Sequence, residues 1–203
     1  MTNPEDIKNI CISTAKRSIL RQYRYHLLDR TRLSEPEIRH VMTKILDEKR
    51  IFHGIEIATK YKHKITGISR ERSALVDLVI FDNNDHHSIW MEFKRGQTDP
   101  KNIKKDFIKM VKEKSETLKG VCFFHIIPVS LNKTKSQKNL QKARNSIIDK
   151  YSQAYNQTPK EGCSTKWFIL FILDAESREY YLHFENDVCN IKEFPKEKWS
   201  RLG

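Results

Sequence analysis

The sequence predicts a mixed α/β (α+β) fold in which a central mixed β-sheet is flanked by helices. Three observations carry that expectation. A helix-periodic stripe precedes three consecutive strand-like runs, a lysine-coated helix leads into another apolar run, and a further helix is followed by two more strand-like runs. At 203 residues the chain suits one well-cored domain and is short for two. A single domain over 1–203 is therefore expected, with its core at about 34–129, an amino-terminal helix at 5–28, and a carboxyl-terminal helix plus hairpin at 132–190.

Taken in order, Ile7, Ile10, Cys11, Ile19, Leu20, Tyr23 and Leu27 recur at near-helical spacing beside Lys16, Arg17, Arg21 and Arg24, which predicts an amphipathic helix. In "SEPEIRHVMTKILDEK", Ser34 and Glu37 are spaced as a capping box, and Ile38, Val41, Met42, Ile45 and Leu46 form one apolar stripe. "IFHGIEIATK" at 51–60 alternates as a strand, and a basic stretch containing Gly67 leads to the strands of "ALVDLVIFDNNDHHSIWMEFKRG". "DNND" suits the hairpin connection between them, because Asn and Asp side chains bond their own backbone in turns. Ile103, Phe107, Met110, Val111 and Leu118 mark the next helix, and "GVCFFHIIPV" a buried strand. Leu140, Ala143, Ile147 and Tyr151 mark another helix, and "KWFILFILD" with "EYYLHFE" reads as a terminal hairpin.

Composition narrows the partners. Hydrophobic residues make up 38% and charged residues 32%, which excludes a disordered chain, and no repeat or low-complexity block stands out. Lys and Arg number 38 against 26 acids, a formal charge of +12, so a polyanion such as nucleic acid is the favoured partner. Cys11, Cys122, Cys163 and Cys189 are scattered with no CxxC pair, which disfavours a zinc module or a disulfide framework. His53, His63, His86 and His87 lack the i, i+4 or Cys partners of a metal site. "MTNPEDIKNI" does not read as a secretory signal, and no apolar run approaches the roughly 20 residues needed to span a bilayer, so a cytoplasmic protein without membrane contact is expected.

The chemistry-bearing feature is a set of charges in strands built for burial. An ionised group in an apolar strand costs several kcal/mol unless paired or metal-bound, yet Asp77, Glu92 and Lys94 all fall in such runs. Glu92 and Lys94 are two apart and share a strand face; whether Asp77 joins them depends on a register that local pattern does not define. Two carboxylates and a peptide carbonyl make a hard oxygen site for Mg²⁺, with Mn²⁺ as substitute. A lysine beside it can position or deprotonate a water, or stabilise charge on a phosphate.

These residues resemble the PD-(D/E)xK nuclease superfamily, the restriction endonuclease-like group. Asp77 matches its first acid and "EFK" at 92–94 its (D/E)xK element, with 14 residues between the acids, while Val76 stands where the family has proline. The order helix, three strands, helix, strand over roughly 34–129 is similar to that family's core. The resemblance implies a restriction endonuclease-like fold and Mg²⁺-dependent hydrolysis of DNA phosphodiesters leaving a 5′-phosphate. It further implies Asp77, Glu92 and the Phe93 carbonyl as metal ligands and Lys94 as catalytic cation or base. The competing readings are a nuclease-fold protein that binds nucleic acid without turnover, and an unrelated interaction domain; RNA stays open as substrate. A homodimer is compatible with cutting both strands, although no residue pattern marks it.

Auxiliary residues have paired readings. Glu37 is either a capping partner of Ser34 or the extra site carboxylate that the family supplies from its first core helix. Glu56 is a solvent-facing strand residue or a second acid of the cleft, and Gln97 resembles a polar residue that some members place after the third strand. Lys60, Lys62, Lys64, Arg70 and Arg72 around a candidate loop, and Lys101, Lys104 and Lys105 at the next helix start, are candidates for phosphate contact, although each lysine taken singly reads better as a solvated surface charge. Tyr61 could stack on a base or pack locally, and Trp90 and Trp167 read as core.

Overall fold

Among the described residues seven strands lie side by side in one sheet, in the order in which the chain makes them. The computed structural model describes residues 6–7, 9–15, 17–18, 34–64, 71–95, 99–112, 117–127, 137–157, 166–173, 179–186 and 188–193. Its described residues between 6 and 18 are helical (α1). There follow Glu35–Glu48 (α2), His53–Lys64 (β1), Glu71–Phe81 (β2), His87–Arg95 (β3), Pro100–Lys112 (α3) and Gly120–Ile127 (β4). Gln137–Asn156 (α4), Lys166–Leu173 (β5), Glu179–Asn186 (β6) and Val188–Glu193 (β7) complete it. The fold is mixed α/β: β1, β2 and β3 pair antiparallel, β4 is parallel to both β3 and β5, and β6 and β7 return antiparallel.

Local chemistry starts and stops these elements. Ser34 caps α2: its hydroxyl accepts from the Glu37 amide at 3.3 Å, and the Glu37 carboxylate accepts from the Ser34 amide at 2.8 Å, the reciprocal arrangement of a capping box. The helix ends at Lys49, and Arg50 takes a left-handed φ of 55° that turns the chain toward β1. In the β2–β3 connection, Asp82 Oδ1 accepts from the amides of Asn84 (2.9 Å) and His86 (3.1 Å), and Asp85 adopts φ 59°. The acids of "DNND" are turn residues, as the sequence suggested.

The alternation of β2 and β3 divides the molecule into two layers. Leu78, Ile80, Ile89, Met91 and Phe93, with Cys122, Phe124 and Ile126 of β4, face one side, where they meet Ile7, Ile10, Cys11 and Ala15 of α1 and the five stripe residues of α2. Each large side chain buried there contributes about 1.5–3 kcal/mol. On the other side α3 and α4 cover Phe123: Phe107 stacks on it at 4.5 Å, and Tyr151 meets both rings edge-on. Cys11 and Cys122 are free and buried, and burial pushes the Cys11 thiol well up, so it stays protonated and unreactive.

Several boundaries differ from the sequence reading. β1 runs to Lys64, past the expected loop, because a register shift between Ala58 and Lys62 lets the chain re-pair with β2. Lys62 and Arg72 therefore sit on paired strands, not in a loop. Leu118 belongs to the approach to β4, since α3 ends at Lys112. β7 was not foreseen: "VCNIKE" is only six residues long and half polar, although Asn186 and Asp187 before it make a turn signal. Residues 5, 8, 16 and 19–28 of the expected first helix lie outside the described residues. Among the described residues no helix is long and apolar enough to cross a membrane.

Two outcomes follow from this packing. Phe107→Ala removes a ring that is fully buried between the sheet and α4, and denaturant unfolding should show a loss of about 3–5 kcal/mol. The backbone bonds to Asp82 hold its carboxyl below the ordinary aspartate value. A depressed acid stabilises the fold above its unfolded pKa, and that contribution is lost as pH falls through the folded one. Thermal melts should show Asp82→Ala destabilised at neutral pH, with the difference from wild type shrinking as pH falls below about 4.

Candidate active site

The register decides whether the three motif charges meet. β2 and β3 pair through Leu78↔Met91, and one step further the same register sets Asp77 opposite Glu92. Leu78 and Met91 face the α1–α2 layer, so Asp77, Glu92 and, two residues on, Lys94 all face α3. At that step the ladder changes character: the Phe93 amide donates to Asp77 Oδ2 at 2.8 Å. Asp77 is thereby locked against the backbone that joins Glu92 to Lys94.

Helix α3 closes the cluster with two residues that the sequence reading did not single out. Lys94 Nζ lies 2.8 Å from Asp106 Oδ2 and 3.7 Å from Glu92 Oε2. Lys109 Nζ donates to Glu92 Oε1, donates to the Leu75 carbonyl at 2.7 Å, and lies 3.8 Å from Asp106 Oδ1. A signal for both was present. Asp106 is the one acid among five lysines in "PKNIKKDFIKMVK", three residues after Ile103 and directly before Phe107, hence beside the buried stripe, and Lys109 follows it at i+3.

The electrostatics are those of crowded carboxylates in a dry place. Glu92 is only 2% exposed, and burial first, then the Asp77 charge, push its carboxyl up to about 8 against the pull of Lys109. Burial works to lower the Lys94 pKa, but Asp106, followed by Glu92 and Asp77, outweighs it and holds the ammonium above the ordinary lysine range. Lys94 is therefore charged at neutral pH.

The extra helical carboxylate is Glu35, where the sequence reading weighed Glu37. Glu35 Oε1 accepts from the Arg95 amide at 3.1 Å, and its carboxyl is raised chiefly by burial. Glu37 is spent on the cap. Two residues along a helix are turned by about 200°, so both cannot face the cleft. Glu35, Lys94, Arg95, Asp99, Lys105 and Asp106 are among the residues lining a cavity of about 390 Å³. Arg95 Nε is buried there without a hydrogen-bond partner in the described structure.

Glu56 does not join the site. Register would place it opposite Asp77, but its φ of 51° breaks the strand alternation, and its exposed carboxylate pairs with Arg39 of α2 at 2.9 Å. Lys101, Lys104 and Lys105 project from α3 beside the cluster, with Lys104 reaching Gln157, just past the end of α4, at 3.3 Å. Lys62 and Arg72 are exposed on β1 and β2. Gln97 and Arg70 lie outside the described residues, as do the side chains of Lys60, Tyr61, Lys64 and Trp167. Trp90 is core as expected, its Nε1 donating to His87 Nδ1 at 3.3 Å.

The donor set suits a hard cation. Asp77 and Glu92 supply only oxygen, and Mg²⁺ commonly takes one or two carboxylates and completes its octahedron with water and substrate phosphate. Among the described residues no group of three or more His, Cys, Asp or Glu is arranged to hold a metal ion by itself. Comparison with protein-family models gives no match, and comparison with curated proteins gives none.

The Lys94 pairing has a measurable consequence. Asp106→Ala removes the main influence that raises the Lys94 pKa and leaves burial opposing the charge, so the Lys94 pKa should fall in a ¹³C-lysine NMR titration. In wild type a raised lysine pKa stabilises the fold throughout neutral pH, and that contribution is lost as pH rises through the folded value, above about 10.4.

Proposed function

We propose that the chain is a Mg²⁺-dependent nuclease of restriction endonuclease-like architecture that hydrolyses DNA phosphodiester bonds, in a restriction, mobile-element or repair role. The observation that carries this reading is the meeting of Asp77, Glu92 and Lys94 on one sheet face next to a charged cavity. The element order α2, β1, β2, β3, α3, β4 supports the architecture.

Asp77 and Glu92 would hold the metal. Bound there, Mg²⁺ lowers the pKa of a water and stabilises negative charge developing on the phosphate. Burial first, and then the Asp77 charge, raise the Glu92 carboxyl, so its ionised form calls for added positive charge, which a divalent ion would meet. Lys94, held by Asp106 and protonated at neutral pH, acts as a fixed positive charge toward the phosphate oxygens more readily than as a base. Arg95 and Lys105 line the same cavity and offer donors for the phosphodiester backbone. The +12 net charge favours the approach of a polyanion.

A second reading, a nuclease-fold protein that binds nucleic acid without turnover, draws on one observation: Lys109 already pairs with one oxygen of Glu92, a proposed metal ligand. Cleavage assays separate the two. With Mg²⁺ and a panel of supercoiled, linear and branched DNA plus RNA, the wild type should cut and leave 5′-phosphates. Glu92→Ala and Lys94→Ala should each reduce the rate on the order of 10²-fold or more. Wild-type rates in both folded variants would remove these residues from catalysis, and salt-sensitive binding with no cleavage of any substrate would select the binding reading.

A further inference from the structure

Lys109 is the group at the centre of the cluster that the nuclease motif does not account for. It arrives from α3, beyond the motif strands, is 8% exposed, and divides its ammonium between Glu92 Oε1 and the Leu75 carbonyl, with Asp106 Oδ1 at 3.8 Å. Lys94 is not its equivalent, because Lys94 is taken by Asp106 and stands off Glu92 at 3.7 Å. An ammonium seated on Glu92 Oε1 competes with a divalent cation drawn to the same carboxylate, because two positive charges repel strongly in a medium that screens poorly.

The surroundings provide the ammonium with somewhere to go. Lys109 also lines a groove of about 370 Å³ whose other walls include Leu75, Lys101, Lys105 and Ile108. Leu75 is half exposed, so the carbonyl that already holds Lys109 sits on a strand that opens outward on this groove. The amine can leave Glu92 by rotating its own flexible stem, with no backbone change.

Resting on the nuclease reading for the identity of the cation, we infer that Lys109 is the resident counter-ion of Glu92 in the metal-free protein. A divalent cation displaces its ammonium from the carboxylate into the groove, where it is a positioning residue facing the phosphate of the bound strand. Metal loading thereby precedes, and prepares, the seating of substrate.

The test uses the full chain, Mn²⁺ as the calorimetric probe and two independent readouts. Lys109→Met keeps the length of the stem without the charge, and isothermal titration should show Mn²⁺ bound about tenfold more tightly than by wild type. In unmutated protein, acetylation of Lys109 by an amine-reactive ester, read by peptide mass spectrometry, should rise severalfold when Mn²⁺ saturates the site, while Lys94 stays protected. Binding by Lys109→Met alone also supports displacement. Mn²⁺ binding by wild type with no rise in Lys109 acetylation, or with equal or weaker binding by the variant, overturns the inference and leaves the nuclease reading standing. Absence of binding by both folded proteins overturns the inference together with the metal on which the nuclease reading depends. If Lys109→Met does not fold, wild-type acetylation decides.

Discussion

A carboxylate carried into the middle of a sheet must be met by positive charge or give up its own, and Glu92 organises its surroundings around that requirement. Its neighbours on β3 are apolar and its opposite number on β2 is another acid, so the sheet cannot supply the counter-charge beyond Lys94. Helix α3 does so. The Phe107 stack on Phe123 seats α3 at a depth where Lys109 reaches Glu92 and Asp106 reaches Lys94. Burying such a group unpaired would cost several kcal/mol, so the packing of α3 and the electrostatics of the site stand or fall together.

The two faces of the sheet have separate tasks. On one, α1 and α2 close over Leu78, Ile80, Met91 and Phe93 with no charge among them. This apolar layer holds the β2–β3 register, and a slip by one residue would exchange the core and charged faces. On the other, the charges stand at the end of the β2–β3 pairing, where the ladder yields to the bond from Phe93 to Asp77. A rigid apolar layer beneath a charged one is how a fold holds acids close together without letting them relax apart.

Much of this was legible along the chain. Ser34, Glu37 and the stripe from Ile38 to Leu46 specify α2 because capping and helical period act within a few residues. Asp82 specifies the hairpin for the same reason, through bonds to amides two and four residues ahead. The like orientation of Glu92 and Lys94 follows from strand alternation alone. The length of β1 was not legible, since its second half depends on a register shift against β2. Nor was Glu35, hidden beside Glu37, whose spacing to Ser34 made it the more conspicuous acid.

Local pattern established every element but β7, their order, the cap, the turn and the identity of three charges in buried strands, because those follow from interactions between residues close in the chain. The meeting of Asp77 with Glu92 awaited the pairing of strands, and the recruitment of Asp106 and Lys109 awaited the docking of α3. Both are contacts across 12 to 34 residues, from the Lys94–Asp106 pair to the bond of Lys109 to the Leu75 carbonyl, with that of Lys109 to Glu92 at |i−j| of 17. Such pairings are set by how apolar faces pack in space, which no short window of sequence contains.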